Sequence, residues 1–132
     1  MKATVYLTAI ATAAMFGSAA AQTATQTKTH DFTVKAGANV QIGTYYLINT
    51  KTCQAGPLPK IVPTSKPTIG KLIIEQTKVE PSQKQCSGFL IPAYVVRFEA
   101  GDKAGKEKIT YEVVYQSKKL GTLKVEDTIT VQ

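Results

Sequence analysis

The residues able to do chemistry are few in this chain, and the densest group lies in "GDKAGKEKITYEVVY" (101–115). Asp102, Lys103, Lys106, Glu107 and Lys108 crowd around Gly101 and Gly105. Acids beside lysines could serve proton transfer or hold a cation, but no nucleophile–base pair accompanies them. Glycines at this spacing supply positive φ for a turn, so the stretch reads as a solvated turn that feeds a strand.

The other reactive groups are isolated. Calcium needs about six to eight oxygens, usually from clustered Asp, Asn and Glu. Asp31, Asp102 and Asp127 stand apart, and lysines flank the one glycine-rich candidate. Calcium is therefore not expected. His30 is the single histidine and cannot hold zinc or copper alone, so it reads as a surface residue and no cofactor or metal is expected. Ser65, Ser82, Ser87 and Ser117 lie in no G-x-S-x-G motif. A Ser/His/Asp set would have to borrow His30 from a mobile arm, which cannot hold catalytic geometry. A catalytic function is not expected.

Cys53 and Cys86 are the two cysteines. There is no C-x-x-C, and the histidine is distant, so a redox or metal pair lacks support. In an exported chain an even, isolated pair forms a structural disulfide, which would contribute about 3–4 kcal/mol through chain entropy.

Export is expected from the start of the chain. Lys2, the apolar run "ATVYLTAIATAAMF" (3–16) and Ala19-Ala20-Ala21 have the form of a signal peptide, 1–21, cut after Ala21. The apolar run is short for a membrane span, and no second long run follows, so no transmembrane segment is expected in the mature chain. The expected product is periplasmic or secreted. Without Lys2 it keeps fifteen basic residues against nine acidic, a net charge of +6. Arg97 is the one arginine; the remaining basic residues are dispersed lysines. Such a surface can attract an anionic envelope polymer weakly, but scarce arginine and the absence of any recognition motif argue against nucleic acid.

The elements that would position these groups are strands. "QTATQTKTH" (22–30) is polar and reads as a flexible arm ahead of a domain spanning 31–132. "DFTVKAG" (31–37) begins the extended structure. "NVQIGTYYLIN" (39–49) continues it, with a bulge or bend expected at Gly43. "CQAGPLPKIVPTSKP" (53–67) holds four prolines and can form only an edge strand or an extended crossing. "TIGKLIIEQTKV" (68–79) and "FLIPAYVVRFEA" (89–100) are strands around the loop 80–88. In the latter, Tyr94, Val96 and Phe98 share a face. Strict alternation then puts Ile109, Tyr111, Val113 and Tyr115 on one face. "SKKLG" (117–121) is a turn, and "TLKVEDTITV" (122–131) alternates again. Asp127 is its one polar in-phase position, where a twist or bulge is expected. No apolar stretch keeps a helical period. About seven short strands with regular turns indicate an all-β, Ig-like antiparallel sandwich.

The segment "YVVRFEAGDKAGKEKITYEV" (94–113), with the ending "DTITV" (127–131), resembles bacterial Ig-like, cadherin-like domains. Those show a tyrosine strand, a glycine turn, then Gly-x-Asp-x-Phe-x-Tyr-x-Val and a final strand. "KPTIGKLII" (66–74) is similar to their Pro-x-x-Gly segment. Glu107 stands where the family favours Asp, and Ile109 where it favours Phe. The resemblance implies a single exported domain with a binding or spacing role.

Surfaces then carry the function. Tyr45 and Tyr46 point to opposite faces if both are in a strand, leaving one exposed, and Lys118 and Lys119 sit at a hairpin tip. The reading is an interaction module that binds a protein or an anionic envelope component. The alternative is an inhibitor of a hydrolase, working through a projecting loop such as 54–67.

Overall fold

The computed structural model describes residues 25–132, so the expected signal peptide (1–21) and the first residues of the expected arm lie outside the described residues. Nine strands are described: β1 (Thr25–Val34), β2 (Asn39–Tyr45), β3 (Ile48–Asn49), β4 (Gln54–Ala55), β5 (Lys60–Pro63), β6 (Gly70–Val79), β7 (Ile91–Ala100), β8 (Gly105–Val114) and β9 (Thr122–Val131). One sheet has the order β1-β9-β8-β5 and the other β2-β7-β6, with β3 and β4 forming a separate small hairpin. Seven strands thus make an all-β sandwich, as the alternation predicts.

The core lies between the two sheets. Val34, Ile42, Val96, Phe98, Ile109, Tyr111, Val113, Val125, Ile129 and Val131 are buried together. These are the in-phase residues of their strands, so the face assignments made from sequence hold. Tyr111, at 1% exposed, sits centrally. β7 is buried on its other face as well, through Ile91, Ala93 and Val95, and β4 is packed against that strand.

Four expectations need correction. The arm expected over 22–30 is strand from Thr25 onward. β1 runs parallel to β9 in unbroken register from Thr25↔Thr122 to Val34↔Val131, so one pair of this otherwise antiparallel sandwich is parallel. Its first seven side chains are exposed. Main-chain pairing rather than burial holds them, which polar composition does not reveal.

Asp127 causes no bulge: β9 keeps its register with β8 and β1 through that residue. The irregularity falls instead in β2 between Gln41 and Gly43, as the glycine suggests. A Cβ on Gly43 would lie 2.7 Å from the Tyr45 hydroxyl and 2.8 Å from that of Tyr111, so glycine there makes room for the tyrosine pair.

Gly101 and Gly105 do form the turn into β8, but neither has positive φ. At Gly101 the backbone runs close to the neighbouring loop, where a Cβ would lie 3.2 Å from the Ile69 carbonyl oxygen, a tight contact.

Glu107 is not free in solvent. Its carboxylate accepts the Thr68 and Ile69 amides at 2.9 and 3.1 Å and so ties the 64–69 loop to β8.

Candidate functional site

Strand direction places three connections at one end of the sandwich: 46–59, 80–90 and 115–121. They are tied together by bonds that the sequence names only in part. Cys53 and Cys86 form a disulfide with Cα atoms 5.4 Å apart, joining the first connection to the second. Cys53 has φ of 60°, an uncommon conformation for a residue with a side chain, and its amide donates to the Asn49 carbonyl. Asn49 Oδ1 accepts the Lys51 amide at 2.9 Å and fixes the turn before it.

Tyr46 adds a second tie. Its hydroxyl accepts the Ser82 amide at 3.0 Å and donates to Gln83 Oε1 at 3.2 Å. Within 80–90, Glu80 accepts the Gly88 amide at 2.9 Å and the Ser87 hydroxyl at 3.1 Å. The Gly88 amide, then the Ser87 hydroxyl, hold its carboxyl below the usual range. The turn 117–121 closes through the Gly121 amide on the Ser117 carbonyl, with Gly121 at positive φ.

On this braced scaffold, large apolar side chains face solvent. Leu90 is 66% exposed, Phe89 49% and Leu120 48%. Leu120 also lines a groove of about 390 Å³ with Lys28, Tyr46, Leu47, Tyr115 and Lys119. A second depression shares Leu47, Ile48, Lys119 and Leu120 and extends along the β3–β4 hairpin. Apolar side chains beside lysines suit a contact surface.

The residues singled out from sequence divide between two places. Tyr46 and Lys119 come together in the groove. Lys118 lies at the exposed hairpin tip beside them. Tyr45 turns the other way, and its hydroxyl meets that of Tyr111 at 2.8 Å between the sheets. Burial pushes both phenols above their ordinary value, so both stay neutral. Tyr45 is therefore a core residue and is not at the surface site, because it shares the inward face with Tyr111.

Two features escaped the sequence reading. One is the exposed trio of Phe89, Leu90 and Leu120; its only signal is an apolar residue set against Gly88 or Gly121 in a loop. The other is His30, expected on a mobile arm. It is held on β1 with Nδ1 3.1 Å from Asp127 Oδ1. Asp127 is fully buried, and its in-phase position in β9 was the available signal. Among the described residues no group of three or more potential metal ligands occurs. No helix there is long and apolar enough to cross a membrane.

The proline-rich stretch does not project. Pro59 is buried, Lys60–Pro63 pairs with β8, and the Thr64 amide donates to the Thr110 carbonyl. It is the edge strand that its prolines allow, and the loop expected at 54–67 is pinned for most of its length.

No family model matches the chain, and no curated protein matches it. A solved structure, described as that of PbICP-C in complex with falcipain-2, is similar over 89% of this chain and 96% of that chain, at 19% identity and a TM-score of 0.33.

Proposed function

We propose that this protein is an exported, non-catalytic interaction module that holds a protein partner against the end formed by 46–59, 80–90 and 115–121. The observation that carries this is the set of exposed apolar side chains: Phe89 and Leu90 on a loop cross-linked by Cys53–Cys86, and Leu120 on the turn 117–121 that its own main-chain bonds close. Rigid loops lose little entropy on binding, and apolar anchors supply most of the affinity at such contacts. The disulfide also fits an oxidising compartment. Lys118 and Lys119 steer an acidic partner surface and contribute a salt-sensitive share. An anionic envelope polymer would depend on the lysines alone. A hydrolase is a narrower choice of partner, favoured by the same rigid apolar tips; inhibition would then run through 80–90 and 115–121, since 54–67 is pinned.

The test compares Phe89→Ser/Leu90→Ser and Leu120→Ser with Lys118→Glu/Lys119→Glu in capture from envelope extract at low and high salt. The apolar variants should lose capture at both salts, by about tenfold or more for a central anchor. The lysine variant should weaken it only at low salt. Retention at high salt by all three variants would move the contact elsewhere. Loss through the lysine variant alone would make an anionic polymer the partner. A hydrolase partner would show a stoichiometric end point when its activity is titrated.

A further inference from the structure

The two sheets have four edge strands, and three differ from the fourth. β5 is four residues long and ends in Pro63. β2 carries the irregularity at Gln41/Gly43. β1 is long, but its side chains are exposed and polar before Phe32. Such features discourage pairing with another chain. β6 has none of them. Its ten residues keep unbroken register with β7 from Gly70↔Ala100 to Val79↔Ile91, without proline or bulge. Among the described residues, no main-chain partner meets its outer edge. Leu72 and Ile74 pack on the core yet stay only partly buried there.

We infer that β6 is a self-association edge, where two copies of the chain pair antiparallel and join their three-stranded sheets into one of six strands. The surface is separate from the loop end and does not rest on the function proposed for it.

Symmetry selects the register. A two-fold axis that makes neighbouring strands antiparallel runs perpendicular to the sheet, so each residue pairs with one on the same face. The outer face of β6 offers Lys71, Ile73, Glu75 and Thr77; the inner face offers Leu72, Ile74, Gln76 and Lys78. Only registers pairing odd with odd and even with even numbers are allowed. Centring on Lys71 or Glu75 sets like charges opposite each other. Centring on Leu72, Ile74 or Gln76 sets no charge against its opposite. Centring on Ile73 places Lys71 against Glu75 of the other copy, twice, and brings Leu72 against Ile74, twice. Two opposite-charge pairs then flank an Ile73–Ile73 contact on the axis, and the partly buried inner residues are covered. Arg97 is the β7 partner of Ile73, and its Nε lies 3.5 Å from Glu75 Oε1, which holds that carboxylate on the outer face.

The experiment is sedimentation velocity of the purified protein from low to high micromolar concentration, with Lys71→Glu, Glu75→Lys and the double exchange. The wild type should show concentration-dependent dimer. Each single variant turns both cross-strand pairs into like charges and should raise the dissociation constant by about tenfold or more. The double variant should recover the dimer, and mixing the two single variants should give a heterodimer, since every pair is again opposite in sign. Both side chains are exposed, so thermal melts should show the variants folded. A wild type that stays monomeric, a dimer indifferent to both single variants, or a failure of the mixture to associate would overturn the inference.

Discussion

At the end built from 35–38, 64–69 and 101–104, the connections close on one another through main-chain hydrogen bonds. The Gly37 amide donates to the Gly101 carbonyl, the Gly101 amide to the Ile69 carbonyl, and the Ala36 amide to the Gln132 carbonyl, each at 2.9 Å. Glu107 adds its carboxylate to the Thr68 and Ile69 amides. No large apolar side chain in these connections is exposed. At the opposite end the connections are longer. They meet through a disulfide and through side chains such as Tyr46, and leave Phe89, Leu90 and Leu120 in solvent. An end with nothing to display can be closed by its own backbone. An end that displays apolar surface forgoes the burial that would order it, so its order must come from cross-links.

The largest expected effect follows from removing the cross-link. Cys53→Ser/Cys86→Ser should lower stability by about 3–4 kcal/mol, the chain-entropy value for a loop of this length. The comparison adds where the loosening falls. Hydrogen exchange should speed first in 46–59 and 80–90, while the Gly37 and Gly101 amides follow only the global change. Equal sub-global loosening at both ends would break the distinction between a braced end and a self-closed one.

Glu107→Ala is the counterpart at the closed end. It leaves the Thr68 and Ile69 amides without their acceptor, and bonds to a charged group contribute about 1.5–3 kcal/mol when well shielded. Glu107 is half-buried, so a loss of about 1–2 kcal/mol is expected. Exchange at Thr68 and Ile69 should rise, with capture by the loop end unchanged. Lost capture with an intact fold would show that the two ends are coupled.

The closed end was the more legible of the two from sequence. Turn glycines, the alternation from Lys108 and the in-phase Val and Ile residues are local signals, and they place β7, β8, β9 and their core faces. The prolines place β5 at an edge, and the cysteine count gives the bridge. What escaped is what depends on long-range pairing. The parallel addition of β1 to β9 leaves no mark in Thr-rich sequence, because main-chain bonds carry it. Glu107 reads as a turn charge until the 64–69 loop is folded against it. Phe89 and Leu90 read as the start of a strand, and only the strand's actual start at Ile91 leaves them outside.

Between the ends lies a group that belongs to neither, and its effect should be the smallest and evenly shared. Asp127 is fully buried on β9, with His30 at Oδ1 and no partner at Oδ2 among the described residues. Burial pushes its carboxyl above the ordinary carboxylate value, and the His30 hydrogen bond offsets part of that. A folded-state pKa above the unfolded one means that the protonated form favours the fold. That contribution is fully present below the unfolded value and is lost as pH rises through the folded one. Asp127→Asn keeps an oxygen for His30 and cannot ionise. Relative to wild type, its stability in urea should therefore improve from about pH 4 toward neutrality, starting near the ordinary carboxylate pKa. The Tyr45 and Tyr111 phenols stay neutral over that window and add no slope of their own. Amide exchange at both ends should shift alike, since the residue sits mid-strand. A difference that falls with rising pH would show instead that the fold favours the charged carboxylate, making its contact with His30 an anchor for β1 rather than a cost carried by β9.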